Sequence, residues 1–481
     1  AAVYAVMGWS PILPRIISAL AGSILVSVTM YWLYLLTGSK RLAWIAGVIT
    51  LISPWMFHLS RTALESNLAL LFFAVGLCFF ELSRKKPARL RVVLTALFFA
   101  ASAYTYQAYK LIIPVFLIGY VAFFDFKKIN FAFFKTTSMQ IGMLTAILFI
   151  PLLFAAGGTV RLKQVVSAQP ELVTAIQGLQ QNTCHLLLSQ LGGLALNSGC
   201  QALWNQKTIV VSIVWQHILE HINPSFLFFT GDSSLNRNPT QTGAFTFLLF
   251  PFFVVGVVSA WKSKKMPRYI LGGFLVAMTA SIIAGTPHAI RLTALFPFVT
   301  ALIVFGIDQF HSKYLTPALT VILLVFFTHF AAQYAVASFA NSQDFLSYSK
   351  KVAQTAYRYW QDGYTVHLDR KVMPEPHIFV GFWNNMDALT FQKLVSNYAG
   401  DAQQFSRPEK IGDTLILDEP NLQALICNTP ETEKVLLITN DKLPFIGTDT
   451  MYAATGVHLF ATAYDVTTLR AQKSTFASYC K

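Results

Sequence analysis

Charge is scarce in this chain: only 12% of its 481 residues are Asp, Glu, Lys or Arg, against 54% hydrophobic residues and a mean hydropathy of +0.52. Soluble domains carry about twice that charged share, so a wholly soluble enzyme is excluded as a reading, as are disordered, collagen-like and small disulfide-framework proteins. Acids are scarcest where the chain is most apolar. Only seven precede residue 340, namely Glu65, Glu81, Asp125, Glu171, Glu220, Asp232 and Asp308. A transporter driven by protons or sodium usually needs carboxylates inside its spans, and that supply is nearly absent. P-loop, GxGxxG, HExxH, GxSxG and paired CxxC motifs are also absent, which removes the sequence support for ATP-driven transport, dinucleotide redox chemistry and zincin-type proteolysis. No short-period repeat or low-complexity run is present.

What the chain does have is apolar runs of the length that crosses a hydrocarbon core. Ten are expected, near 13–36, 42–57, 64–82, 91–107, 110–125, 138–156, 244–261, 269–285, 290–307 and 315–339. The formal charge of +14 divides into +16 before residue 340 and −2 after it, so the positive balance belongs to the apolar part and marks helix orientation rather than nucleic-acid binding. Every second connection is basic: Lys40 and Arg41; Arg84, Lys85, Lys86, Arg89 and Arg91; Lys127, Lys128 and Lys135; Lys262, Lys264, Lys265 and Arg268; Lys313. The intervening short connections carry only Arg61, Lys110 and Arg291. The basic connections are therefore cytoplasmic, and residues 157–243 and the tail are outside. Trp9 and Trp55 at outer ends, with Trp44 and Trp261 at inner ends, fit an aromatic belt.

The expected fold is an all-α polytopic membrane protein with about ten transmembrane helices in residues 1–339, a long outer loop at 157–243 and a small extracytoplasmic α/β domain at 340–481. In that tail His377 to Phe382, Thr414 to Leu417, Val435 to Thr439 and His458 to Ala463 read as β-rich, and Asp387 to Tyr398 as an amphipathic helix. The location is a cytoplasmic (inner) membrane. The opening AAVYAVMGWS has neither a basic leader nor an initiator Met, so at least one further helix is expected upstream. Of five cysteines, Cys78 lies in a span as a small apolar residue. Cys184 with Cys200 and Cys427 with Cys480 are expected as two local disulfides in an oxidising compartment, four unpaired thiols being the alternative.

Polar chemistry collects at the outer ends. His58, Arg61, Glu65 and Asn67 stand in SPWMFHLSRTALESNLAL, where a four-residue spacing lets Arg61 and Glu65 pair on one helix face. Such a pair can serve chemistry or simply close a short connection. Tyr104, Tyr106, Gln107, Tyr109 and Lys110 follow in SAYTYQAYKLIIP, readable equally as an aromatic belt with a snorkelling lysine. His288 and Arg291 occupy GTPHAIRLTALFP, and Asp232 and Arg237 a Gly/Asn/Pro-rich stretch that reads first as a turn. Outer cations at one depth imply a pocket for an anionic headgroup on an amphipathic substrate.

The segment from Arg15 to Leu70, RIISALAGSILVSVTMYWLYLLTGSKRLAWIAGVITLISPWMFHLSRTALESNLAL, resembles bacterial members of the dolichyl-phosphate-mannose protein mannosyltransferase family and their aminoarabinose-transferase-like relatives, membrane glycosyltransferases of the GT-C fold. YTYQAYKLIIP, NPSFLFFTGD, GTPHAIRLTALFP, RYWQDGYT and DALTFQK extend the resemblance over nearly the whole chain, through their order rather than through any one motif. The resemblance implies sugar transfer on the outer face, from a polyprenyl-phosphate carrier to a protein, lipid or glycan acceptor. It implies Glu65 and Arg61 as auxiliary catalytic residues, Arg291, His288 and Lys110 at the carrier phosphate, and Tyr106, Gln107 and Asp232 on the acceptor side. The family's essential acidic residue, in its first outer loop, is expected upstream of Ala1. A divalent metal is one means of stabilising the leaving phosphate. Nucleic acid is not an expected partner. A lipid-linked-sugar flippase and a non-enzymatic envelope scaffold are the competing readings; cations lining a cytoplasmic through-path favour the first, inert surfaces the second.

Overall fold

The computed structural model describes residues 12–122, 136–154, 206–262, 269–310, 314–342, 346–373, 375–395, 408–417, 420–452 and 459–481, with single positions 178, 312 and 456. The chain divides into two compact units, the first ending at Ala332 and the second beginning at Gln333.

The first unit is helical. Helix α1 (Leu13–Thr37) has Pro14 in its first turn, where a missing N–H costs nothing, and stops at Gly38, whose φ of 71° lets its N–H reach back to Tyr34. Ser39 then caps α2 (Lys40–Ile52), and Ser53 with Pro54 starts α3 (Pro54–Arg61), so that the two helices meet at a 56° bend. They are followed by α4 (Glu65–Lys85), α5 (Arg89–Thr105), α6 (Tyr109–Tyr120), α7 (Thr137–Phe154), α8 (Gln206–Ile222), α9 (Phe250–Lys262), α10 (Tyr269–Ala284), α11 (Leu295–Asp308) and α12 (Leu315–Ala340). Each of the ten apolar runs thus coincides with a helix or a bent helix pair. By length and apolarity alone, α1, α4 and α12 suffice to cross a membrane, or four segments if α2 and α3 make one broken span. Among the described residues five further apolar helices are shorter, and a short helix is tolerated at membrane depth where neighbouring protein covers its ends.

Helix α11 is the axis of packing: every residue except Phe305 and Asp308 is buried, as a helix apolar all round must be. Its Gly306 faces Gly256 of α9. A Cβ at Gly256 would strike the Leu302 carbonyl, and one at Gly306 the Phe252 carbonyl, so the two backbones touch where no side chain fits. Phe73, Phe80, Phe99, Tyr109, Phe116, Tyr269 and Phe298 interleave edge-to-face or tilted between α4, α5, α6, α10 and α11.

Two features of this unit differ from the sequence expectation. The stretch 157–243, read as one loop, contains α8 and a π-turn at Ser225–Phe229; its apolar and polar residues are interleaved and no single long run announced a helix. Trp55 is not an interfacial ring. It is 4% exposed, donates through Nε1 to the Ala289 carbonyl (3.1 Å) and packs edge-on against Phe226 and Phe296. Trp44 and Trp261 are exposed.

The second unit is α/β. Its six strands are β1 (Thr365–Asp369), β2 (Lys410–Ile411), β3 (Thr414–Leu417), β4 (Val435–Thr439), β5 (Asp449–Tyr452) and β6 (Leu459–Asp465), in the spatial order β2-β3-β1-β4-β6-β5. The central strand β1 runs parallel to β3 and β4, while the outer pairings are antiparallel. Val366, Leu368, Leu436 and Ile438 pack against Val352 and Ala356 of α13 (Ser349–Gln361). On the same side α13 meets α14 (Pro376–Trp383) and α15 (Ala388–Val395) around Ala353, Val380 and Phe391. On the other side Leu437 and Tyr464 meet α16 (Leu422–Asn428), α17 (Val466–Ala471) and α18 (Lys473–Tyr479). The reading of His377 to Phe382 as a strand is corrected: it lies in α14. Pro376 presets the helical φ at the first position, and Pro376, His377, Val380 and Gly381 bury one helical face that single-residue β propensity does not reveal. Cys427 and Cys480 form the expected disulfide, Cα–Cα 5.6 Å, joining α16 to the chain after α18. Cys184 and Cys200 lie outside the described residues.

Candidate functional site

Three connections at one end of the first unit's helices are knitted together by buried hydrogen bonds. Ser53, which caps α3 through Met56 N, also donates to the Ala244 carbonyl (2.8 Å), and Trp55 N donates to the same carbonyl (3.3 Å). One turn further along α3, buried His58 donates through Nε2 to the Asn236 carbonyl (3.1 Å). The 230–243 loop is closed on itself by Asn238, whose Nδ2 donates to the carbonyls of Thr230, Asp232 and Thr242. Gly231 makes this closure possible, with a φ of +70° and no room for a Cβ beside Asn238 and the Thr242 carbonyl.

Asp232 is the pivot. It is 3% exposed and accepts four hydrogen bonds: from Arg237 Nε (2.8 Å) and Nη2 (2.9 Å), from Ser234 N (2.9 Å) and, across the site, from Ala289 N (2.8 Å). Arg237 Nε and Ala289 N share one carboxylate oxygen, so the guanidinium and the 285–294 turn are held side by side. Burial by itself would raise the Asp232 carboxyl; the Arg237, Ala289 and Ser234 hydrogen bonds overcome it and hold the group below its usual value. Asp232 is therefore ionised and saturated. With four donors on its two oxygens, Asp232 holds the 230–243 loop against the 285–294 turn.

His288 and Arg291 lie in the adjoining turn. Burial, followed by the nearby Arg237 and Arg291 charges, lowers His288 from 6.5 to about 4, the Asp232 charge opposing them. Its Nδ1 accepts from Ile290 N (3.2 Å), which leaves the proton on Nε2. His288 is thus a neutral hydrogen-bond donor near pH 7. Arg291 donates to the Ala284 carbonyl (3.3 Å), and among the described residues no carboxylate pairs with it. The same turn is anchored from α6: Tyr109, fully buried, shares a hydrogen bond with Thr293 Oγ1 (3.1 Å). That contact brings the Tyr106–Lys110 turn to the same end, with Gln107 exposed and Tyr106 and Lys110 half-buried.

Arg61 and Glu65 do not pair. Arg61 closes α3 and Glu65 opens α4, so the helix that would have put them on one face is broken between them. Arg61 lies over the Phe57 ring, 3.5 Å from its centroid, and Glu65 is exposed in the first turn of α4, where the helix dipole favours a negative charge. Just below, buried Asn67 donates to Ser18 O (2.8 Å) and Ser18 Oγ (3.1 Å), and Ser18 donates to Leu59 O (2.8 Å), fixing the α3–α4 break against α1.

The holders that sequence reasoning passed over are Asn238 and Thr293; Trp55 and Arg237 were singled out, but as a belt ring and a turn residue. Only the Gly231, Asn238 and Pro239 turn chemistry signalled an ordered loop. Among the described residues no group of three His, Cys, Asp or Glu side chains stands together as a metal site.

At the opposite helix ends four cations, Arg41, Arg84, Lys85 and Arg91, are held by hydrogen bonds. Buried Glu81 pairs with Arg84 (2.6 Å) and accepts from Tyr269 (3.0 Å), and Arg84 also donates to Tyr120 (2.8 Å). Arg41 donates to Thr316 (2.8 Å), Arg91 to the Lys86 carbonyl (2.7 Å), and Lys85 to the Leu35 carbonyl.

No family model and no curated protein matches this chain. Among solved structures it is similar to ArnT from Cupriavidus metallidurans in the apo state, with 11% sequence identity over 97% of this chain and 86% of that one, at a TM-score of 0.41. A likeness at that level carries no argument about chemistry.

Proposed function

We propose that this chain belongs to a membrane glycosyltransferase that moves a sugar from a polyprenyl-phosphate carrier to an acceptor hydroxyl at the outer membrane face. The observation that carries the reading is the cluster at one end of the helices: Arg291, with which no carboxylate pairs among the described residues, the Arg237 guanidinium that Asp232 holds against the 285–294 turn, and neutral His288 with its proton on Nε2. Guanidinium groups and an imidazole N–H are the donors that a phosphate oxygen accepts from, and a low-dielectric setting strengthens them. Lys110, on the turn tied in by Tyr109, adds a further cation at that end.

The chemistry follows from those roles. An acceptor oxygen attacks the anomeric carbon, the bond from that carbon to the phosphate oxygen breaks, and configuration inverts. The acceptor proton passes to a carboxylate, and the leaving phosphate keeps the electron pair, stabilised by Arg291, Lys110 and His288 Nε2–H. Asp232 is saturated, so Glu65, exposed at the α4 start, is the carboxylate of this site available to assist. Arg61 is drawn onto Phe57, and among the described residues no cation pairs with Glu65. Tyr106 and Gln107 border the acceptor side.

The flippase reading needs cations along a path through the inner helix ends. Of the described inner cations, Arg84, Arg41, Arg91 and Lys85 are held by Glu81, Tyr120, Thr316 and backbone carbonyls, so these four are not free to line such a path. The test is sugar transfer from a radiolabelled polyprenyl-phosphate donor by the full-length protein in membranes. Arg291→Ala should weaken donor use by about 2–5 kcal/mol in kcat/KM, the cost of losing a charged contact, and Glu65→Gln should remove most of the turnover. Wild-type kinetics in both variants would overturn the assignment.

A further inference from the structure

Helix α8 (Gln206–Ile222) lies inside the stretch that reads as a hydrophilic loop, yet its side chains sort into three faces. Ile209, Ile213, His217 and His221 recur every fourth residue and form the packing face: Ile209 and His221 are buried, Ile213 and His217 half-buried. His217 Nδ1 donates to the Ile282 carbonyl (3.2 Å), two residues before α10 ends. Opposite that face, Val211, Val214, Trp215, Leu219 and Ile222 form an apolar arc, with Val211 67% and Trp215 58% exposed. On one flank Ser212, Gln216 and Glu220, all exposed, recur at the same spacing. Between Thr208 and Leu219 there is no formally charged residue.

We infer that α8 is an interfacial helix, lying along the membrane surface with Val211, Trp215, Leu219 and Ile222 among lipid acyl chains and Ser212, Gln216 and Glu220 toward water. The helix that α8 packs on, α10, belongs to the apolar bundle and itself exposes Leu275 and Ile283, so α8 sits against a helix that already faces hydrocarbon. A span would have no use for a polar stripe along its length, whereas a helix in the membrane plane needs one. The contact with α10 falls at the end from which the 285–294 turn leaves, and α8 leads directly through Ser225–Phe229 into the loop held by Asp232. Membrane attachment of α8 thereby holds that loop at the lipid surface. The inference goes beyond the transferase reading and does not depend on it.

The test uses the full chain in phospholipid nanodiscs, spin-labelled at Val211→Cys or Gln216→Cys, with unsubstituted protein labelled in parallel to subtract native cysteines. Collision with oxygen, which partitions into lipid, is compared with collision with a water-soluble nickel chelate. The expected result is oxygen-dominated relaxation at position 211 and nickel-dominated relaxation at position 216. Nickel-dominated relaxation at both would put α8 in water, oxygen-dominated relaxation at both would make it a span, and dipolar broadening at 211 would make the arc a contact with a second copy. Each of those three results overturns the inference. No arm reads sugar transfer, so failure here is distinct from failure of the functional reading.

Discussion

At the scale of single residues, the candidate site depends on one carboxylate that has no capacity left for chemistry. Asp232→Asn removes the charge opposite Arg237, which is only one-quarter exposed, and replaces an acceptor for Ala289 N or Arg237 with an amide. The cost is about 3 kcal/mol, toward the lower end for breaking a buried pair because Arg237 retains some solvent. Thermal unfolding in detergent should show that loss, together with faster proteolysis in the 230–243 loop. A merely catalytic carboxylate would lose turnover with stability unchanged. His288 supplies a second residue-scale expectation. Its pKa is near 4 when folded and 6.5 when released, so the unfolded or opened form binds the extra proton. The stabilisation is complete above pH 6.5 and is lost as pH falls toward 4. His288→Gln should flatten that part of the stability profile; a wild-type slope in the variant would assign it to other groups.

Among the elements, α9 and α11 make the most demanding contact. Gly256 and Gly306 let two backbones meet, and a methyl group at either position would collide with a carbonyl that cannot move without its helix. Gly306→Ala should cost about 1–3 kcal/mol as an overpacking change, with the helices forced apart beside the buried face of α11. Because α11 begins one residue after the 285–294 turn, donor affinity should fall with stability in that variant, read from the same membranes. In the second unit, the disulfide between Cys427 and Cys480 ties α16 to the chain just after α18, across a sequence separation of 53. The chain-entropy model gives such a closure roughly 4 kcal/mol. Cys427→Ser with Cys480→Ser should lower that unit's unfolding midpoint, with little effect on the helical unit, seen by hydrogen exchange of the β4 and β6 amides.

For the molecule as a whole, apolar helices and acidic α/β tail are two solutions to different solvents. The first unit carries the net positive charge and exposes apolar side chains such as Ile16, Leu51, Leu90, Ile118 and Val321, which only a hydrocarbon medium accommodates. The second buries apolar side chains on both faces of its sheet, as a domain in water does.

The helices themselves were legible because burial in hydrocarbon writes long apolar runs into a chain, and hydrogen bonding within each run leaves no alternative to a helix. Strands β3 and β4 were legible for the same kind of reason, short β-branched runs between turn residues, and the Cys427–Cys480 link from the isolation of two cysteines in one segment. The site was legible only as a set of names. That His288 is neutral, that Asp232 is saturated and that Arg61 leaves Glu65 for Phe57 are consequences of neighbours 50 or more residues away or of a helix break, and one-dimensional spacing carries neither. Helix α8 shows the same limit: its three faces acquire meaning only once α10 covers one of them, because periodicity records which residues share a face and packing alone decides what that face meets.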